Sequence, residues 1–239
     1  MKETITKNTP DIDALKGTLN QAQKQWIDEH CALIDGSTDS EHAVNLYFLH
    51  SGLCRRQQTL DQPQERLSWH VDQIMRLLLL LELFETTSKW RRHISDTALI
   101  ESLFKQSDSE EKIVILKALH FLPHGKELVN FATHASRSNN TKILAAIALN
   151  NPYPAGHYGE REFNQLILKA LFADLDIRQT IGLSERLSPT LSRLCQDLVE
   201  ERLLAQRQPP QAIEAAMCLA HLSEEFQLIY RQFKDTEQQ

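Results

Sequence analysis

Apolar residues recur along most of this chain three or four positions apart, the spacing that places them on one face of an α-helix. The apolar face of the first predicted helix, from position 11, consists of Leu15, Leu19, Ala22 and Trp26. The run GSTDS then interrupts the pattern, and its last residue, Ser40, is of a type that caps helices. A second helix is therefore predicted after this serine.

A third helix is predicted to begin at Pro63, because proline is favoured in the first turn, where its missing N–H group is not needed. This helix carries the strongest apolar run of the chain, Leu77 to Leu81. A helix that is apolar all round has no face to present to water. We therefore expect it to be central, with neighbours on both sides.

Between residues 96 and 150 the pattern becomes a more regular series of short predicted helices. The segments 111–122, 127–135 and 141–149 each carry an apolar face, and Pro123 separates the first two. Short helices in antiparallel pairs are typical of HEAT-type repeats, in which neighbouring hairpins share one core. The predicted fold class is all-α, an antiparallel helix-hairpin stack that is either a HEAT-like α-solenoid or a compact multi-helix bundle.

The segment NNPYPAGHY, from Asn150 onward, breaks the helical pattern. Pro152 and Pro154 exclude a continuous helix and bias Asn151 and Tyr153 toward extended backbone. The predicted junction between two helices then carries the side chains of Tyr153, His157 and Tyr158. Two interpretations stay open: a ligand or partner site, or a corner that ends one helix for packing.

The helix predicted after this junction has a clean apolar stripe. Its members are Phe163, Leu166, Ile167, Ala170 and Leu171. The opposite side, with Gln165, Leu168, Lys169 and Phe172, is neither fully polar nor fully apolar, so it is either a second packing face or the wall of a groove. For Asn164, Gln165 and Lys169, capping or solvated positions are favoured over binding.

Further along, Ser188 and Pro189 predict the cap and first position of a long helix that ends near Gln206. Arg202 falls within the arc of its apolar residues, which are Leu191, Leu194, Cys195, Leu198 and Ala205. A guanidinium group in such an arc needs a carboxylate or carbonyl partner, or must extend to water. A buried structural ion pair is favoured over a catalytic role.

Composition supports the helical interpretation and narrows the function. Of 239 residues, 41% are hydrophobic and 24% charged, and only 7 are glycine, which leaves little of the turn chemistry that sheets need. The net charge of −6 argues against nucleic acid as the main partner. Four widely spaced cysteines without a CxxC pair are typical of buried thiols in a reducing compartment. A polar N-terminus without a secretory signal makes the cytoplasm the expected location.

Motifs for catalysis or metal binding are missing from the sequence. His120 and His124 are four positions apart, but Pro123 lies between them, so they do not share a helical face. The sequence contains no HExxH or GxSxG motif, and its glycines are too isolated for a phosphate-binding loop. We therefore predict no catalytic residue, no metal and no cofactor, and favour a protein that is not an enzyme.

The run SRSNNTKILAAIALNNPYPAGHYGEREFNQLILKALF, residues 136–172, resembles the central signature of the EboA family of bacterial proteins. NPYPA followed eight residues later by FNQLILKALF is the specific part. Downstream, Ile181-Gly182-Leu183 and Arg186 resemble further family positions, as do Glu201-Arg202 and Arg207. The resemblance covers residues 111–210 well and the N-terminal third poorly.

The resemblance implies a component of a bacterial metabolite traffic system and no particular reaction. Our first hypothesis is a non-enzymatic binding or scaffold protein that offers a helical-repeat surface to a partner protein or small metabolite. The second is an enzyme that acts on an aromatic or isoprenoid-derived metabolite in a groove beside Tyr153 and His157. It requires that His157, Tyr158, Lys169 and Arg186 or Arg202 converge in one pocket. A third, nucleic-acid binding, is disfavoured by the acidic charge.

The predicted organisation is a disordered tail over 1–10 and a single helical domain over 11–235. The domain comprises N-terminal helices (11–90), HEAT-like helices (96–150) and the signature segment with the C-terminal helices (150–235). The candidate ligand or partner contacts are Asn151, Tyr153, His157, Tyr158, Asn164, Gln165, Lys169, Arg186 and Arg202.

Overall fold

A computed structural model describes residues 11–57, 69–90 and 95–237. Within these ranges the chain forms α-helices and short 3-10 turns without any strand, so the all-α prediction is confirmed. The predicted tail over 1–10 and the predicted helix start at Pro63 lie outside the described residues. None of the described helices is long and apolar enough to cross a membrane.

The described residues form two compact units, 11–147 and 148–237, here called the N-terminal and C-terminal units. The helices that begin in the N-terminal unit are α1 (Ile12–Gly17), α2 (Gln21–Asp35), α3 (Ser40–Leu53), α4 (Val71–Thr87), α5 (Asp96–Gln106), α6 (Ser109–Ala118), α7 (Val129–Ala135) and α8 (Thr141–Ala148). Those of the C-terminal unit are α9 (Tyr153–His157), α10 (Glu160–Phe172), α11 (Pro189–Leu204) and α12 (Glu224–Glu237). A single domain over 11–235 stays a prediction.

The first predicted helix is in fact two helices, α1 and α2. Asn20 caps α2 through a reciprocal pair of hydrogen bonds: its side-chain oxygen accepts from the Gln23 N–H at 2.9 Å, and the Gln23 side chain accepts from the Asn20 N–H at 2.9 Å. This break shifts the buried face of α2 to Gln23 and Ile27, while Ala22 is exposed. The predicted stripe is therefore wrong at Ala22, while Trp26 is half-buried.

The helix with the long apolar run is central, as predicted. α4 packs against α2, α3 and α6, and its residues 72–80 are all buried. It begins at Val71. Asp72 and Arg76 are buried among its leucines, and Asp72 Oδ2 lies 4.0 Å from Arg76 Nε. These contacts favour the bundle alternative for the N-terminal unit. A HEAT-like stack over 96–150 stays a prediction, although α5 and α6 do pack as neighbours.

The short helices of this unit differ from the prediction mainly at their ends. α6 ends at Ala118, so the predicted helix over 111–122 is too long at its C-terminal end. Asp108 caps the N-terminal end of α6, where its side chain accepts a hydrogen bond from the Glu111 N–H at 2.9 Å. α7 is shorter than the predicted 127–135, and Phe131, Ala132 and Ala135 form its buried face. Helix ends depend on caps and turns more than on apolar spacing, which explains these differences.

In the C-terminal unit, α10 packs against α11 and against a 3-10 turn at Ile177–Gln179. The predicted stripe of α10 is buried throughout. α11 begins as predicted: the Ser188 hydroxyl accepts from the Leu191 N–H at 3.1 Å, and Pro189 is the first helical residue. Two further 3-10 turns, Ile213–Ala216 and Leu219–His221, pack against α11.

Candidate functional site

The predicted extended corner is a short helix, α9. Pro152 has φ −77° and ψ −14° and precedes Tyr153, the first helical residue, so the extended conformation predicted for Tyr153 is wrong. Prolines fit here because the first turn of a helix leaves its N–H groups without helical partners anyway. The Asn151 side chain instead accepts a hydrogen bond from the Tyr153 N–H at 3.0 Å. The segment still separates α8 from α10, as the sequence indicates.

The aromatic residues of this corner pack inside it. Tyr153 is 0% exposed and Tyr158 is 5% exposed, while His157 is half-buried. The His157 ring lies tilted against the Tyr153 ring with centroids 4.7 Å apart, and the Tyr158 ring meets Tyr153 edge-on at 6.1 Å. Burial raises the pKa of the Tyr153 hydroxyl. The three rings thus pack against one another, and a ligand or partner site at this corner stays a prediction.

Arg186 holds the end of α9 from a distant 3-10 turn, Ser184–Arg186. Its Nη1 donates to the carbonyl oxygens of Pro154 and Ala155 at 3.1 and 2.9 Å, and its Nη2 donates to that of Tyr158 at 2.7 Å. The guanidinium carbon lies 4.3 Å above the centre of the Phe163 ring. Desolvation by burial lowers the pKa of Arg186. A cation here complements the C-terminal end of a helix.

Gly182 completes the same structure. Its φ of +76° is a conformation that favours glycine, and a Cβ atom there would lie 2.8 Å from the Cβ of Ala155. The backbone of 181–183 can therefore approach α9 only with glycine at this position. We call residues 151–158, Gly182 and Arg186 the corner clasp. It brings together three separate parts of the sequence signature.

The other predicted contacts lie on α10 and α11. Asn164 is 2% exposed on α10, so the solvated or capping position expected for it is wrong. Gln165 is exposed, Lys169 is half-buried, and Arg202 is half-buried in the last turn of α11. With the described residues, Arg202 forms no side-chain hydrogen bond or ion pair, contrary to the expected buried pair. The buried face of α11 consists of Leu191, Ser192, Cys195, Leu198 and Val199.

A groove in the N-terminal unit is the feature that the sequence patterns did not predict. It encloses about 420 Å³ between α1, α2, α4 and the turn that follows α6. Its apolar lining includes Ile27, Leu78, Leu81, Phe84 and Phe121. Its described polar lining consists of Lys16, Asp28, Glu82 and Glu85, and Cys31 also lines it.

The electrostatics of this groove are dominated by carboxylates. Glu82 is half-buried, and burial followed by the charge of Asp35 raises the pKa of its carboxyl group. Burial, reinforced by the charges of Glu82 and Asp28, raises the pKa of the Cys31 thiol to about 12. Cys31 is therefore a neutral thiol at physiological pH, and it is not an activated nucleophile.

The sequence spacing indicates only which polar residues of the groove share a helical face. Asp28 and Cys31 are three positions apart on α2, and Glu82 and Glu85 are three apart on α4, so each pair shares a helical face. Their meeting across two helices could not be found from spacing alone.

The comparisons with known proteins agree with the sequence signature. A family model described as "Metabolite traffic protein EboA" matches residues 12–217. The chain belongs to the EboA family. No curated protein and no solved structure matches it. The matched range includes both the corner clasp and every residue that lines the groove, so both features lie within the family region.

Proposed function

We propose that this EboA-family protein binds a small metabolite in the groove of its N-terminal unit and performs no chemistry on it. The volume of about 420 Å³ supports this proposal, because it falls in the range typical of small-molecule sites. Such sites combine a mostly apolar lining with a few placed polar groups. The groove has both kinds of lining: apolar residues such as Ile27, Leu78 and Phe84, and charged residues beside them.

The corner clasp gives less support to the alternative, an enzyme with its groove beside Tyr153 and His157. Tyr153 is fully buried, and the donors of Arg186 are directed at backbone carbonyl oxygens. Side chains occupied in this way hold a fold together and have little left to offer a substrate. The same argument makes the groove a better candidate than the corner for the binding role of a metabolite traffic protein.

Binding of Nile red, a neutral dye that fluoresces in apolar surroundings, tests the proposal. We expect saturable binding of one dye per chain. Leu81→Trp should abolish it, because the larger ring fills the groove from a half-buried lining position. Leu49→Trp is the matched control, since Leu49 is an exposed leucine on α3 that does not line the groove. Equal binding by both variants, or no saturable binding at all, would refute the proposal.

A further inference from the structure

The geometry points to an organic cation with an apolar body, such as an alkylammonium compound, as the class of ligand that the groove selects. This inference rests on the proposed function and deepens it. Among the residues that the structure describes, three carboxylates, those of Asp28, Glu82 and Glu85, line the groove against a single lysine, Lys16. At neutral pH this described lining therefore carries two negative charges more than positive ones. This excess of negative charge would repel an anion, whereas a cation would neutralise part of it.

Glu82 is the carboxylate on which this selectivity depends most. It is the only one of the three that is half-buried, whereas Asp28 and Glu85 are exposed. Its described hydrogen bond is a long one, 3.4 Å from the Thr86 hydroxyl. The ammonium group of Lys89, which lies near enough to influence Glu82, bonds instead to Asp35. A partly desolvated carboxylate in this position gains from a cation that arrives with a ligand.

The apolar lining decides what kind of cation fits. Leu78, Phe84 and Phe121 offer hydrocarbon and ring surface, which gives a bare metal ion nothing to coordinate. The same surface buries an alkyl or aryl group, and removing that hydrocarbon from water favours binding. Ring faces also attract ammonium groups. An amphipathic cation uses both parts of the groove at once.

Three probes of equal chain length separate charge from hydrophobicity: octylammonium, octanoate and octanol. Their dissociation constants are measured by calorimetry on the full chain at low salt and about pH 8, where carboxyl groups are ionised and alkylamines protonated. We expect octylammonium to bind about fivefold more tightly than octanol, and octanoate more weakly than either. The advantage of the cation should shrink in high salt, because the carboxylates of the groove are exposed or half-buried.

Glu82→Gln tests the assigned residue without changing its size. We expect it to remove most of the fivefold advantage of octylammonium while leaving octanol binding unchanged. Glu101→Gln is the matched control, because Glu101 is exposed on α5 and does not line the groove. This control should leave all three dissociation constants as they are in the wild type.

The outcomes separate the inference from the proposed function. If octanoate binds as tightly as octylammonium, or if Glu82→Gln leaves the order unchanged, selection of cations is overturned. Octanol binding that is lost in Leu81→Trp would still uphold the metabolite-binding proposal in that case. If neither the three probes nor Nile red binds, both proposals fail together.

Discussion

Replacing Arg186 with methionine removes a cation that bonds to three backbone carbonyl oxygens of the corner clasp. The hydrogen bonds to Pro154, Ala155 and Tyr158 measure 3.1, 2.9 and 2.7 Å. Methionine keeps an unbranched apolar stem beside the Phe163 ring, over which the guanidinium carbon lies at 4.3 Å. The substitution therefore tests the donors and the charge with little loss of packing volume.

The expected loss follows from the number of bonds and their exposure. Hydrogen bonds to a charged group contribute about 1.5–3 kcal/mol each. Bonds that share one guanidinium group are not additive, and Arg186 is only half-buried, so water replaces part of the loss. We expect Arg186→Met to lower the free energy of unfolding by about 3 kcal/mol in total. For a chain of this length, that corresponds to a decrease in Tm of about 6–12 °C.

Urea unfolding followed by far-UV circular dichroism measures this loss. Arg178→Gln is the matched control: Arg178 is an exposed arginine that pairs only locally, with Asp176, and its loss should leave the transition unchanged. Arg186→Lys should recover less than half of the loss, because an ammonium group cannot reproduce the planar fork of donors. If Arg186→Met unfolds within about 0.5 kcal/mol of the wild type, the clasp does not stabilise the fold and our reasoning is wrong.

Three further predictions concern single positions. Gly182→Ala should lower the free energy of unfolding by about 2–4 kcal/mol, because position 182 has a φ of +76° and an added Cβ would lie 2.8 Å from the Ala155 Cβ. Gly156→Ala is the control and should not lower it, because Gly156 has open space around it. Equal urea midpoints for the two variants would contradict this prediction. Burial lowers the pKa of Lys117 from 10.5 to about 7. Between about pH 7 and 10.5, the unfolded chain therefore binds a proton at Lys117 that the folded chain has lost. Stability should therefore rise with pH across that window, and Lys117→Met should flatten the rise in urea titrations; an unchanged pH slope would count against it. Burial also lowers the pKa of His50, so stability should fall as the pH drops below about 6.5. His50→Leu should reduce this acid sensitivity in thermal unfolding at a series of pH values, and full retention of it would exclude His50 as the cause.

Local patterns determined the helices and several of their buried faces. The stripe of α10 and the central position of the run Leu77 to Leu81 followed from apolar spacing, because that spacing fixes which side of a helix must leave water. Ser188 and Pro189 marked the start of α11, since capping involves neighbours only three residues apart. The signature around NPYPA also sufficed to indicate the EboA family.

Errors arose where two local signals competed. The stripe through Ala22 suggested one long helix, but the reciprocal cap between Asn20 and Gln23 divides it and turns the next face. Pro152 and Pro154 suggested extended backbone, but both fit around the first turn of a helix, which needs no N–H donor there. The sequence contains both signals in each case, and the energy of the folded packing decides between them.

Only the tertiary structure decided what the candidate site is. Arg186 meets its carbonyl partners 28 to 32 positions away in the chain, and the groove joins residues of α1, α2 and α4 with the turn after α6. Sequence spacing specifies neighbours within one helix, because its geometry is regular. It does not specify which helices meet, since that depends on the summed packing of all buried faces. The corner aromatic residues were therefore visible in the sequence, but their burial and the acidic groove elsewhere were not.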